Sequence, residues 1–125
     1  EMTVIGNVKD KICIIVDDIC DTAGTLCKAA EVLMEHGASE VHAYITHGVM
    51  SGPAVERVEA SVMKSLVLTD TIAPNEATKA AANIRVLPTA PGFAHAILNI
   101  WTGTCVSSLF ETPTLEPIYE GQFGT

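Results

Sequence analysis

The stretch Ile12-Cys13-Ile14-Ile15-Val16-Asp17-Asp18-Ile19-Cys20-Asp21-Thr22-Ala23-Gly24-Thr25 joins an apolar run, two adjacent carboxylates and a short loop rich in hydroxyls and small residues. Residues 12–16 are apolar and mostly β-branched, the pattern of a strand buried on both faces of a parallel sheet. Ligands of open α/β sheets sit in the crevice at the carboxyl ends of the strands, where Asp17 and Asp18 are expected to emerge. An ionised carboxylate only accepts hydrogen bonds, which suits a vicinal diol or a magnesium-bound oxygen and not a phosphate. A phosphate is better placed at residues 22–25, where Gly24 allows close backbone approach and a helix opening near Thr25 offers free N–H groups and a positive dipole end. Thr22 and Thr25 add hydroxyl donors, and either is a candidate N-cap. Each piece alone is ordinary turn and capping chemistry. The full series in register reads as a cradle for a sugar phosphate.

Outward from this stretch the pattern alternates. Strand is expected at residues 11–16, helix at 25–36 ending on Gly37, and strand at 41–46. A short helix over 53–60 follows Gly52, then come strand 66–69, a loop with Pro74, a weak helix over 76–82 and strand 84–87. The remainder reads as helix 93–101, an extended segment 106–110 and, with Pro113, Pro117, Gly121 and Gly124, an irregular C-terminal tail. Strands separated by helices imply right-handed crossovers, hence an α/β fold with a mainly parallel sheet and helices on both faces. The expected organisation is one domain over residues 1–112 and the tail over 113–125.

Composition excludes several function classes. A formal net charge of -8 leaves no basic patch to displace counterions from nucleic acid. No apolar run approaches the length of a membrane span, and no signal peptide is visible. Glu1 in place of an initiator methionine is expected to mark a piece of a longer chain. Cys13, Cys20, Cys27 and Cys105 form no Cys-x-x-Cys pair, which suits reduced thiols and a cytoplasmic location. Cys20, within the loop, is expected to be open to thiol reagents but not catalytic. His42 and His47 lie five apart across a strand, on opposite faces, and make a poor metal pair. His36 suits a helix C-terminus, His95 and Trp101 read as helix packing or interface, and Glu31, Glu35, Glu56 and Glu59 read as a solvated face.

Residues 16–25 resemble the phosphoribosyl-pyrophosphate motif shared by type I phosphoribosyltransferases and ribose-phosphate pyrophosphokinases. Gly6-Asn7-Val8-Lys9-Asp10-Lys11, Leu26-Cys27-Lys28-Ala29-Ala30 and Thr46-His47-Gly48-Val49-Met50-Ser51-Gly52-Pro53-Ala54 are similar to the pyrophosphokinases. Thr69-Asp70-Thr71-Ile72 and Val106-Ser107-Ser108-Leu109-Phe110 extend the likeness to about residues 2–110. The chain thus resembles the C-terminal half of a ribose-phosphate pyrophosphokinase, with a type I phosphoribosyltransferase-like fold. One departure is Leu98-Asn99, where many members carry two arginines.

The resemblance implies an enzyme, as part of a longer chain, that transfers pyrophosphate from ATP to ribose 5-phosphate for nucleotide biosynthesis. It implies ribose contacts from Asp17, support of the ribose or loop by Asp18, and a 5-phosphate site at Asp21, Thr22, Ala23, Gly24 and Thr25. Cys105, Ser107, Ser108 and Phe110 match the family's regulatory phosphate or nucleotide site. The family's catalytic lysine and arginine, and most contacts to ATP and its Mg2+, are expected outside these residues, so no catalytic or metal-binding residue is expected here and the isolated chain is expected to be inactive. Dimers assembling into hexamers are the expected homo-oligomer. Two other classes compete: a type I phosphoribosyltransferase, and a non-catalytic, synthetase-associated regulatory subunit.

Overall fold

The computed structural model describes residues 2–119 and divides into two units, Glu1–Leu87 and Pro88–Thr125. The first alternates β1 (Ile12–Cys20), α1 (Gly24–Glu35), β2 (Glu40–Gly48), α2 (Ala54–Ala60), β3 (Ser65–Thr69), α3 (Glu76–Ala80) and β4 (Ile84–Leu87). The second holds α4 (Ala90–Thr102), a 3-10 turn at Ser107–Phe110 and α5 (Thr112–Tyr119).

The four strands form one parallel sheet in the order β1-β2-β3-β4. Side chains alternate across a strand, so Val41, Ala43 and Ile45 of β2 share a face with Leu66 and Leu68 of β3 and with Cys13 and Ile15 of β1. That face is the core, closed by Leu26, Cys27 and Ala30 of α1, Ala54, Val55 and Val58 of α2, and the buried Thr78 of α3. In this first unit α1, α2 and α3 pack on that one face, as strands added in sequence order by crossovers of one hand require. Full burial of a Leu or Val here is worth about 1.5–3 kcal/mol each.

The parallel sheet is as expected, but β1 is not buried on both faces. It is an edge strand of this sheet, and Val16 is 76% exposed, with Ile12 and Ile14 also open. A continuous apolar run does not reveal which face is covered; the alternation does. The strand also runs four residues further than expected, because pairing continues through Asp17↔Ile45, Ile19↔His47 and Cys20↔Gly48. Asp17 and Asp18 therefore lie within β1 and not beyond its end.

In the second unit α4 starts at Ala90, ahead of Pro91-Gly92, since proline is tolerated in a first turn. Gly103 ends it at φ 68°, the left-handed conformation that glycine adopts without a steric cost. The expected extended segment 106–110 is the 3-10 turn instead, closed by Leu109 N–H on the Val106 carbonyl at 3.0 Å. The tail expected to be irregular is helical over Thr112–Tyr119, with Pro113 in the first turn. Its residues 120–125 lie outside the described residues.

Replacing Leu66, wholly buried in the sheet, by alanine is expected to lower the unfolding free energy by about 2–5 kcal/mol. The same change at the exposed Ile14 is expected to cost no more than about 0.5 kcal/mol. Urea denaturation of both variants checks this, and equal losses would show that the Ile14 face is covered in solution.

Candidate functional site

The site is assembled by the turn from β1 into α1. β1 ends at Cys20, residues 21–23 make the turn, and Ala23 stands at the helix N-cap position with φ 61°. A left-handed conformation is uncommon for a residue with a Cβ and costs on the order of 1–3 kcal/mol, so its surroundings must hold it. Ala23 is buried, and the first helical bond runs from Cys27 N–H to its carbonyl at 2.9 Å. The N–H groups of Gly24, Thr25 and Leu26 precede that bond and have no intrahelical acceptor. Neither Thr22 nor Thr25 caps the helix, contrary to expectation; no side chain does. Donors that a protein leaves uncapped at a helix start are suited to an anion.

A cleft of about 330 Å³ opens over this turn, lined by Asp17 and residues 21–25 together with Ile15, Ile19, Cys20, Leu26, Ala29 and Ile45. Six of the seven expected substrate residues, Asp17, Asp21, Thr22, Ala23, Gly24 and Thr25, therefore share one cavity. Asp18 does not line it. It alternates to the other side of β1, and its N–H donates to the Asp17 carboxylate at 2.9 Å, orienting that group from the backbone.

The neighbouring loop explains other matched segments. Val49 and Met50 donate their N–H groups to the Cys20 carbonyl at 2.9 and 3.2 Å, and Ser51 N–H donates to the Asp21 carbonyl at 3.0 Å. The Ser51 hydroxyl donates to the Asp21 carboxylate. From α2, Arg57 Nη1 donates to the Thr22 carbonyl at 2.9 Å. Arg57 and Ser51 were not expected as site residues; Ser51 lies within the matched segment 46–54, whereas nothing in the local pattern separates Arg57 from surface polar residues. Where β2 slips register between Ile45 and His47, the Thr46 carbonyl accepts from the hydroxyls of Thr69 and Thr71. His47 Nδ1 lies 2.7 Å from the Thr71 hydroxyl, and His42 sits between Ser65 and Glu40, so both histidines are engaged structurally. His36 stands at the α1 C-cap with Nδ1 2.7 Å from the Val32 carbonyl.

Two glycines near the site differ in kind. A Cβ on Gly48 would come within 2.6 Å of the buried Leu68 side chain, so packing demands glycine there. A Cβ on Gly24 would meet nothing nearer than Arg57 Nη1 at 3.7 Å, an ordinary contact. Nothing in the chain itself requires Gly24.

In the second unit, Cys105, Ser107, Ser108 and Phe110 fall in and just before the 3-10 turn. The Cys105 carbonyl accepts from the Ser108 hydroxyl at 2.8 Å and from Asn99 Nδ2 at 3.0 Å. Asn99, at the position of the departure noted above, thus closes the end of α4 onto this turn. Phe110 and Trp101 are exposed, Trp101 by 88%, so of the two expected roles of Trp101 helix packing is not met among the described residues, and the interface role is not tested. Among the described residues no three His, Cys, Asp or Glu side chains come together to hold a metal ion, and no helix is long and apolar enough to cross a membrane.

Comparison with known proteins is consistent with this layout. Residues 1–111 match the family described as the phosphoribosyl synthetase-associated domain. The chain is 76% identical over 123 residues to a ribose-phosphate pyrophosphokinase of Cereibacter sphaeroides, covering 98% of this chain and 37% of that protein. It is 54% identical over 110 residues to the ribose-phosphate pyrophosphokinase of Hyphomonas neptunium, covering 88% and 35%. The crystal structure of phosphoribosylpyrophosphate synthetase from Mycobacterium smegmatis superposes with a TM-score of 0.73 at 36% identity, over 79% of this chain and 33% of that one. These spans correct the expected C-terminal half: the match amounts to about a third of the relatives' length, 37% and 35% for the two enzymes.

Cys20 is not the open thiol expected from its place in the sequence. Cys20 is 4% exposed, and burial raises its thiol pKa, with Cys27 and the carboxylates of Asp21 and Asp17 acting the same way. Cys105 is exposed, and the N–H and hydroxyl of Ser107 with the N–H of Ser108 lower its pKa by stabilising the thiolate. A substoichiometric maleimide at neutral pH is expected to label Cys105 first and Cys20 last, read by peptide mass spectrometry. Prior labelling of Cys20 would show that the turn opens in solution.

Proposed function

The chain belongs to the phosphoribosyl synthetase-associated domain family, and from that membership we propose that it is the ribose 5-phosphate-binding segment of a ribose-phosphate pyrophosphokinase. The observation that supports this most directly is the single cleft holding Asp17 beside an uncapped helix start. Asp17 accepts from the ribose hydroxyls, while the N–H groups of Gly24, Thr25 and Leu26 and the hydroxyls of Thr22 and Thr25 donate to the 5-phosphate. With a net charge of -8 the chain as a whole repels such a ligand, so the binding must come from these local donors.

In this reading the parent enzyme moves the pyrophosphoryl group of ATP onto the C1 hydroxyl of the bound sugar. The segment's part is positioning: a fixed acceptor oxygen lowers the barrier by removing the cost of orienting it. Mg2+ would neutralise charge on the transferred group, the role such an ion plays in phosphoryl transfer. The Mg2+ requirement, ATP as co-substrate, the cytoplasmic location, the homo-oligomer and the regulatory role of Cys105, Ser107, Ser108 and Phe110 rest on the family resemblance. The intact loop and the names of the relatives favour a synthetase over a phosphoribosyltransferase or a non-catalytic subunit.

Gly24→Ala separates ligand binding from folding, because a Cβ there meets only ordinary contacts within the chain. It is expected to leave thermal stability unchanged and to weaken ribose 5-phosphate binding by about tenfold or more, the scale of a hydrogen bond to a charged group. Titration calorimetry reads the affinity; unchanged binding by this variant would move the phosphate away from the turn. Asp17→Asn is expected to weaken the same binding through the ribose. The isolated chain, given ATP, Mg2+ and ribose 5-phosphate, is expected to form no phosphoribosyl pyrophosphate, and sustained synthesis would show that the segment is catalytically complete.

A further inference from the structure

We propose that Arg57 is a positioning residue that keeps the start of α1 open for phosphate, an inference resting on the ribose 5-phosphate reading above. The argument is one of competition for a single carbonyl. In a helix, an N–H donates to the carbonyl four residues earlier, so the natural acceptor for Leu26 N–H is Thr22. Arg57 Nη1 occupies that carbonyl at 2.9 Å. The helical ladder consequently begins one residue later, at Cys27 N–H on the Ala23 carbonyl. Ala23 turns to φ 61°, and Leu26 N–H stays with those of Gly24 and Thr25 in the uncapped set. Without the guanidinium, the Thr22 carbonyl is free to swing onto the helix axis, extend α1 by one bond and remove a donor from the cleft.

Three further observations fit this role. Arg57 is rooted in α2 beside the buried Val55 and Val58, so it works from a fixed base. Cys27 Sγ lies 3.7 Å from the Arg57 carbonyl, which ties α2 directly to α1. Lys28, Lys64 and Lys79 are spent on Glu31, Glu40 and Glu76, whereas Arg57 makes no ion pair among the described residues and its one resolved side-chain bond is to the loop. Asp21, one step earlier, is strapped independently by Ser51 through backbone and side chain, so loss of Arg57 releases Thr22 without dissolving the whole turn.

The test is Arg57→Ala in this chain, its fold checked by circular dichroism, with two readouts. Without ligand, amide hydrogen exchange by NMR is expected to slow at Leu26, as its N–H takes the freed Thr22 carbonyl. With ribose 5-phosphate, affinity is expected to fall by about tenfold, and by the same factor at low and high salt, because a clamp is not screened as a bare charge is. Unchanged exchange at Leu26 or an unchanged affinity overturns the proposal, as does a loss that vanishes at high salt. If the unaltered chain fails to bind ribose 5-phosphate, the functional reading falls, and the ligand-free exchange still decides the clamp.

Discussion

The parallel pairing of β1 with β2 is the constraint on which the rest of the site depends. It runs from Ile12↔Glu40 to Cys20↔Gly48 and so carries the chain through both aspartates before it turns. Alternation then sends Asp17 toward α1 with Ile15 and Ile19, and Asp18 away from it. A shift of one residue in that register would exchange the two carboxylates and put the apolar set on the wrong face. Gly48, where the pairing ends, lets β2 pass close over Leu68, and residues 49–51 beyond it bond to the turn.

Around that pairing the structure spends interactions on holding a turn and few on satisfying it. Cys20, Asp21 and Thr22 each give their carbonyl to the β2–α2 loop or to α2, and Ala23 is kept in a conformation that alanine disfavours. The donors at the start of α1 are left uncapped. A fold optimised for stability alone would place a Ser, Thr or Asp side chain there, a gain of about 1 kcal/mol. The threonines at positions 22 and 25 are present and do not cap.

Much of this was legible in the sequence, and particular residues show why the rest was not. The apolar period placed all four strands and the core helices, and the residue types from Asp17 to Thr25 identified the cleft. Strand length escaped because Asp17, Asp18 and Asp21 look like turn residues, while Ile45 and His47, some 28 positions on, pair with Asp17 and Ile19 and keep the stretch in the sheet. Cys20 looked like an exposed loop thiol, but the last β1 pair and two N–H bonds from residues 49 and 50 bury it. Pro113 and Pro117 suggested an irregular tail; Pro113 costs little in a first turn, whereas Pro117 lies inside the helix and local pattern does not account for it. Arg57 carried no local signal, since its role exists only because α2 packs beside α1.

The sequence by itself determined the class of fold, the strand and helix order, and the chemistry of the turn, because periodicity and residue type are local properties of the chain. Tertiary structure alone decided which aspartate enters the cleft, which cysteine is exposed, that one sheet face stays open, and that Arg57 reaches the Thr22 carbonyl. Each of those depends on register or on contact between residues distant in sequence. Such contacts have no signature in the local pattern.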